Sequence, residues 1–187
     1  MAEPAAPDAS PADPGRAFGG VARLFGNDGP ALSLPSLGHL IAPSAYPDAS
    51  IKVGIGNLAI ETAVRYANER KLFNKTPIGA YQGVQHPLAI ARSEIEMASL
   101  MALKAAWTFD QGQPAGEFAN IAKYAGAEAG IHAVDAAIQT HGGNGFTKEY
   151  GIYDLYGLVR LLRTAPLNRE MVLNYIAEHV MGLPRSY

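Results

Sequence analysis

Three glycines and an asparagine crowd into the stretch Gln139-Thr140-His141-Gly142-Gly143-Asn144-Gly145-Phe146, directly after a long run of small, helix-compatible residues. Gly142 and Gly143 can serve as a left-handed helix stop, because glycine takes positive φ without steric cost. One glycine suffices for a cap, however, and the surplus leaves backbone that a ligand could approach closely. Five histidines, His39, His86, His132, His141 and His179, show no i, i+4 pairing and no Glu-x-x-His repeat, so a helical metal site is not expected. The absence of cysteine excludes disulfides, thiolate metal sites and cysteine nucleophiles. His132 falls on a small-residue face and reads as a core histidine, whereas His141 immediately precedes the glycines. Tyr150, Tyr153 and Tyr156 follow a three-residue step, the spacing of one packed helical face.

Helices must hold this loop. From Ser50 onward Ile51, Ile55, Leu58, Ala59, Thr62, Ala63 and Tyr66 recur at three- and four-residue steps, which places them on one helical face. Asp48 or Ser50 is a candidate cap, Glu61 and Arg65 stand one turn apart, and Pro77 ends the helix near Asn74 by disfavouring a helical Thr76. A second helix spans about Val84 to Phe109, with Pro87 in its first turn and Leu88, Ala91, Ile95, Leu100, Leu103 and Trp107 as its apolar positions. After the break DQGQPAG a third runs from about Ala115 to Thr140. Its stripe of Phe118, Ile121, Ala122, Ala125, Ala129, His132, Ala136 and Ile138 is small enough for close helix crossing. Shorter helices follow around Tyr153 to Leu162 and Glu170 to Val180. No alternating strand pattern occurs, so the expectation is an all-α antiparallel helical bundle over residues 48–187. Eight of the 13 prolines and no lysine fall in residues 1–50, which makes residues 1–47 a low-complexity Pro/Ala-rich arm, disordered or loosely docked.

With 187 residues and 48% hydrophobic content, the chain can bury one sizeable core. Its 15 basic and 17 acidic side chains, a formal charge of −2, provide no basic field for nucleic acid. No window approaches the roughly 20 apolar residues that span a bilayer, and no basic segment precedes an apolar run at the N-terminus. A cytoplasmic protein without membrane insertion is expected.

Three islands occur in order: YANERKLFNKTPIGAYQGVQHPLA at Tyr66 to Ala89, QTHGGNGFTKEYGIYDLY at Gln139 to Tyr156, and APLNREMVLNYIAEHVMGLPRSY at the end. Together they resemble the C-terminal helical domain of the acyl-CoA dehydrogenase family, over about Asp48 to Tyr187. In that family the domain supplies the tetramer interface and contributes to an FAD site shared between subunits. The resemblance implies that Arg70 meets the flavin pyrophosphate, for which a planar guanidinium is a permanently charged, bidentate donor. It also implies that Phe73 packs near the cofactor, and that Gln82 or Gln85 is the glutamine facing cofactor or interface. Gln139 and the run Gly142-Gly143-Asn144-Gly145 match the family loop whose backbone approaches adenosine and pyrophosphate, with His141 placed to touch the cofactor. On this resemblance the stretch is a cradle built on a helix stop.

The catalytic positions depart from the family. Dehydrogenation there needs a carboxylate base for the α-proton of an acyl thioester while the β-hydride passes to flavin N5. Pro166 stands where most members carry that glutamate, and Ser44 where a smaller group carries it. Glu170 lies one helical turn past Pro166, and Glu149 recurs in the family loop as a structural residue. No catalytic residue is assigned. Asn74 replaces a glycine, and Gly157-Leu158 replaces an Arg-Asp pair. Family enzymes place an N-terminal helical domain and a middle β-domain before this bundle, and the leader is too short to encode either.

The expected function is that of the C-terminal domain of a flavin-dependent acyl-CoA dehydrogenase, acting on CH–CH bonds of acyl-CoA thioesters. Such a chain would work as a homo-oligomer or with a companion acyl-CoA dehydrogenase subunit and would be inactive alone. The alternative is a non-catalytic oligomerisation or scaffold bundle with a vestigial flavin cradle. A third reading is an unrelated bundle whose glycine loop is only a cap.

Overall fold

Long alanine-rich runs favour helix, and glycine, proline and asparagine punctuate them. The computed structural model describes residues 34–72 and 75–186, with side chains from Ala49 onward. Helix α1 spans Leu34–Glu69, α2 Gln82–Asp110, α3 Gly116–His141, α4 Ile152–Thr164 and α5 Arg169–Tyr175. Short 3-10 turns occupy Ile78–Ala80 and Gly142–Phe146, and α5 runs on into a π-helical turn, Ile176–Val180. Among the described residues no strand forms, and Lys71 and Pro77 make an isolated antiparallel bridge. No helix among them is long and apolar enough to cross a membrane.

Helix α1 begins well before Ser50 and passes through Asp48 and Ser50, so neither residue caps it. Pro35 lies in its first turn, where a missing N–H costs nothing. It ends at Glu69, short of Asn74; Phe73 and Asn74 lie outside the described residues. The arm assigned to residues 1–47 thus divides between residues 1–33, also outside the described residues, and the start of α1.

Helix α3 is central, packing against α1, α2, α4 and α5. Close approach is what its small residues permit. A Cβ on Gly126 would stand 3.3 Å from the Ala49 carbonyl oxygen, and one on Gly130 would stand 3.4 Å from that of Lys52. Across the same seams Ala59, Ala63, Ala91, Ala98, Ala129 and Ala133 are buried, with Ile95, Val134, Ile152 and Val159 as the larger plugs.

Such proximity reverses part of the expected α2 face. Leu88, Ala91 and Ile95 point inward, but the buried line continues through Ala98, Ala102 and Ala105. Leu100, Leu103 and Trp107, expected as core contacts, are 59–64% exposed beside Ile90 and Met97, because side chains that large do not fit between helices packed on alanine. His132 is likewise not a core residue: it is exposed, with Nδ1 2.8 Å from Glu94 Oε2. The three tyrosines do not share one face. Tyr150 turns towards α1, Tyr153 leans on Phe146, and Tyr156 packs against the core.

Two lysines are interior. Lys52 is fully buried, and Lys123 donates from Nζ to the carbonyls of Leu162 at 2.8 Å and Ala165 at 2.9 Å, closing the C-terminal end of α4.

Candidate functional site

The glycine loop divides its labour residue by residue. Gly142 has φ +57° and ψ −133°, a conformation that favours glycine, and its amide donates to the Gln139 carbonyl. Gly142 is therefore the helix stop, and its own amide is taken up in stopping α3. Gly145 is buried, and a Cβ there would lie 2.8 Å from the Ile138 carbonyl oxygen, so the loop folds back onto α3 at this point. Between these two anchors Gly143 and Asn144 are exposed, and nothing lies within 4 Å of a Cβ built on Gly143.

The sideways position of the loop is set by Tyr66 of α1. Asn144 Nδ2 donates to the Tyr66 hydroxyl at 3.1 Å. The His141 ring stacks on Tyr66 with centroids 4.2 Å apart and planes at 26°, and Tyr150 meets both rings edge-on at 5.6 and 5.1 Å. His141 is 3% exposed. Its Nδ1 lies 2.8 Å from the Ala137 carbonyl, which can only accept, so Nδ1 carries the proton. Nε2 is buried with no partner among the described residues. Burial pushes the imidazole pKa below its ordinary value; the Ala137 hydrogen bond opposes this, and the Arg65 charge adds to the lowering.

Arg70 follows Tyr66 by one turn on the same face of the chain, its amide donating to the Tyr66 carbonyl at 2.8 Å. The side chain is exposed, and none of the described ion pairs includes it. Ile78 in turn donates its amide to the Arg70 carbonyl at 2.8 Å, folding the next turn back on the helix end. Gln82 is the exposed first residue of α2. Gln85 Nε2 donates to the Gly79 carbonyl at 2.8 Å and so fastens the turn. Gln139 is exposed on the last turn of α3. The structure thus gathers Gln139, His141, Gly142 and Gly143 at one helix end and ties that end, through Tyr66, to the turn that carries Arg70. Gln82 stands beyond the Ile78–Ala80 turn, and Phe73 lies outside the described residues. An open, mainly apolar groove of about 390 Å³ runs between α1 and α2, lined by Ile60, Val64, Ala67 and Leu88 with Asn68 and Arg92 among its polar residues.

Tyr66 is the residue that the sequence reading assigned only to packing. Its spacing from Arg70, four residues on a helical face, was the available signal.

Among the described residues, the carboxylates nearest the α4–α5 turn and the glycine loop are either paired with arginine or exposed. Pro166 lies in the turn from α4 to α5, and Asn168 caps α5 by accepting the Met171 amide at 2.8 Å. Glu170 is exposed on the first turn of α5. Glu128 of α3 is engaged by Arg163 Nε at 2.9 Å and Arg169 Nε at 3.2 Å, charge contacts rather than aligned hydrogen bonds. Glu149 is exposed, and hydrogen bonds from its own amide and from Thr147 hold its carboxyl below the ordinary range. Among the described residues no group of three His, Asp or Glu could hold a metal ion.

Comparison with known proteins agrees with this architecture. The family model described as "Acyl-CoA dehydrogenase, C-terminal domain" matches residues 49–181. Acyl-CoA dehydrogenase fadE12 of Mycobacterium bovis is 50% identical over 157 residues, covering 81% of this chain and 40% of that protein. Among solved structures, glutaryl-CoA dehydrogenase from Mycobacterium smegmatis is 25% identical with a TM-score of 0.76, covering 82% of this chain and 39% of that one. The FAD complex of PigA is 25% identical with a TM-score of 0.71, covering 79% and 39%. The chain therefore spans about two fifths of the length of these relatives. A bundle centred on a glycine-rich seam, a glycine loop at the end of its central helix and a family model matched over residues 49–181 together place the chain in the acyl-CoA dehydrogenase family, as its C-terminal domain.

Proposed function

We propose that this chain supplies the dinucleotide-facing part of an FAD site in a flavin-dependent acyl-CoA dehydrogenase that oxidises a CH–CH bond of an acyl-CoA thioester. The observation that carries it is the docking of the glycine loop on Tyr66, one turn from the exposed Arg70. Gly143 offers open backbone, Arg70 a fixed positive charge, and Gln139 an exposed amide, a set suited to a pyrophosphate and its adjoining ribose. The structural likeness to a protein solved with FAD supports the same ligand. FAD, when bound, would supply the hydride acceptor. The residues of this chain bind and orient its phosphate half, and Gln82 or the groove between α1 and α2 would meet other parts of the assembly. The outward stripe of Ile90, Met97, Leu100, Leu103 and Trp107 is too apolar to stay in water without cost, which supports a second copy or a companion acyl-CoA dehydrogenase subunit as partner.

A second reading, a scaffold bundle with a vestigial cradle, is favoured by one observation, the proline at position 166. Flavin titration separates the two. Arg70→Ala should weaken FAD binding by about 1.5 to 3 kcal/mol, roughly 10- to 150-fold, as for a hydrogen bond to a charged group. Fluorescence titration of the full chain with FAD reads this directly, and equal affinity in both proteins would remove Arg70 from the site.

A further inference from the structure

We propose that His141 is a positioning residue: as a neutral imidazole held between Tyr66 and Tyr150, it fixes where Gly143 and Asn144 stand relative to Arg70. The inference rests on the flavin-site reading, and it gives His141 a role different from direct cofactor contact. At 3% exposure, with Tyr66 across its face and Tyr150 at its edge, the ring acts on a ligand through the loop that it anchors.

The geometry requires the uncharged form. Nδ1–H is already used on the Ala137 carbonyl, so a second proton would go to Nε2, a buried atom for which no described residue offers an acceptor. The groups facing the ring give the imidazolium no counter-charge. Among the described residues, from α1 these are Arg65, whose charge opposes it, and the neutral phenol Tyr66; from the segment before α4 it is the neutral phenol Tyr150; from α3 itself it is the Ala137 carbonyl. Protonation therefore favours release of the ring to water. Once the stack on Tyr66 opens, the Asn144 to Tyr66 hydrogen bond and the edge contact of Tyr150 with Tyr66 are the described ties left between the loop and the Arg70 turn. The linkage has a definite sign. A histidine with a folded pKa below its unfolded value leaves the unfolded or opened state binding more protons, so the closed loop is fully favoured above the ordinary histidine pKa and is lost as pH falls through the lower, folded value.

The test follows the loop and the flavin separately, on the full chain. In apo protein the amide resonances of Gly143, Asn144 and Gly145 are followed by NMR from pH 8 to 5 together with the His141 Cε1 signal. The amides should titrate with the His141 midpoint, and that midpoint should lie below the ordinary histidine value. FAD affinity should fall about tenfold or more across the same range. His141→Phe keeps a flat ring in the stack and removes the proton, so it should bind FAD at pH 5 about as well as the parent does at pH 8. His141→Ala, lacking the ring, should bind weakly at every pH. Loop amides indifferent to His141 titration, or a His141→Phe protein with the parent's pH dependence, would overturn the proposal. Amides that follow His141 in a chain that binds no FAD at any pH would sink the flavin reading and leave the loop anchor established.

Discussion

Lys123→Met should destabilise the fold by about 3 kcal/mol, the loss expected when charge-assisted hydrogen bonds worth about 1.5 to 3 kcal/mol each are removed from a part-buried corner. The substitution nearly preserves side-chain length and volume, so a cavity contributes little and the effect isolates the polar contacts. Lys123 is 2% exposed and donates to the Leu162 and Ala165 carbonyls, which belong to the end of α4 where intrahelical donors run out. A cation at a helix C-terminus also meets the negative end of the macrodipole. Urea unfolding followed by circular dichroism should show a lower midpoint with an unchanged slope. A midpoint equal to the parent's would mean that water replaces the ammonium group, and the interior position of Lys123 would then be incidental.

With acyl-CoA and an electron-accepting dye, this chain supplemented with FAD should reduce the dye at least about 100-fold more slowly than a full-length relative, because losing a general base typically costs about 100- to 10,000-fold. The resemblance puts Pro166 and Ser44 at the positions where the family carries its carboxylate, and neither side chain can take a proton from carbon. The acids near the α4–α5 turn do not compensate. Glu128 is engaged by Arg163 and Arg169, and Glu170 points to solvent from the first turn of α5. Dye reduction at the rate of a normal family enzyme would show that a base outside these positions operates.

Helical spacing and punctuation located α2 to α5 within a few residues, because the 3.6-residue period and the Gly/Pro breaks act locally. The start of α1 was missed because Pro35, Pro43 and Pro47 argued against helix; Pro35 falls in the first turn, where proline is tolerated, but the helix also runs through Pro43 and Pro47, which no local pattern foretells. Burial was harder to read. Hydrophobicity alone ranks Leu100, Leu103 and Trp107 above Ala98, Ala102 and Ala105, yet the alanines face the core, since the distance between helix axes decides what fits. His132 misled for the same reason, and Lys123 was invisible because a buried amine and a solvated one look alike until the carbonyls they meet are known. The glycine loop was legible as a motif. Its tie to Tyr66, 78 residues from Asn144, depends on tertiary packing that no local pattern carries.

The seam along α3 also has a mechanical meaning. Gly126 and Gly130 hold its backbone against the carbonyls of Ala49 and Lys52, so rotation or a shift in register would drive neighbouring Cβ atoms into those oxygens. These contacts lie one turn apart and hold the middle of a 26-residue helix, roughly 40 Å long at about 1.5 Å per residue, against α1. Densely packed interiors compress little and transmit strain. Helix α3 carries the loop at its C-terminal end and the Lys123 anchorage in its N-terminal half, on either side of that seam. Sliding the Gly142–Phe146 turn along the axis of α3 would therefore require the helix to move past the Ala49 and Lys52 carbonyls.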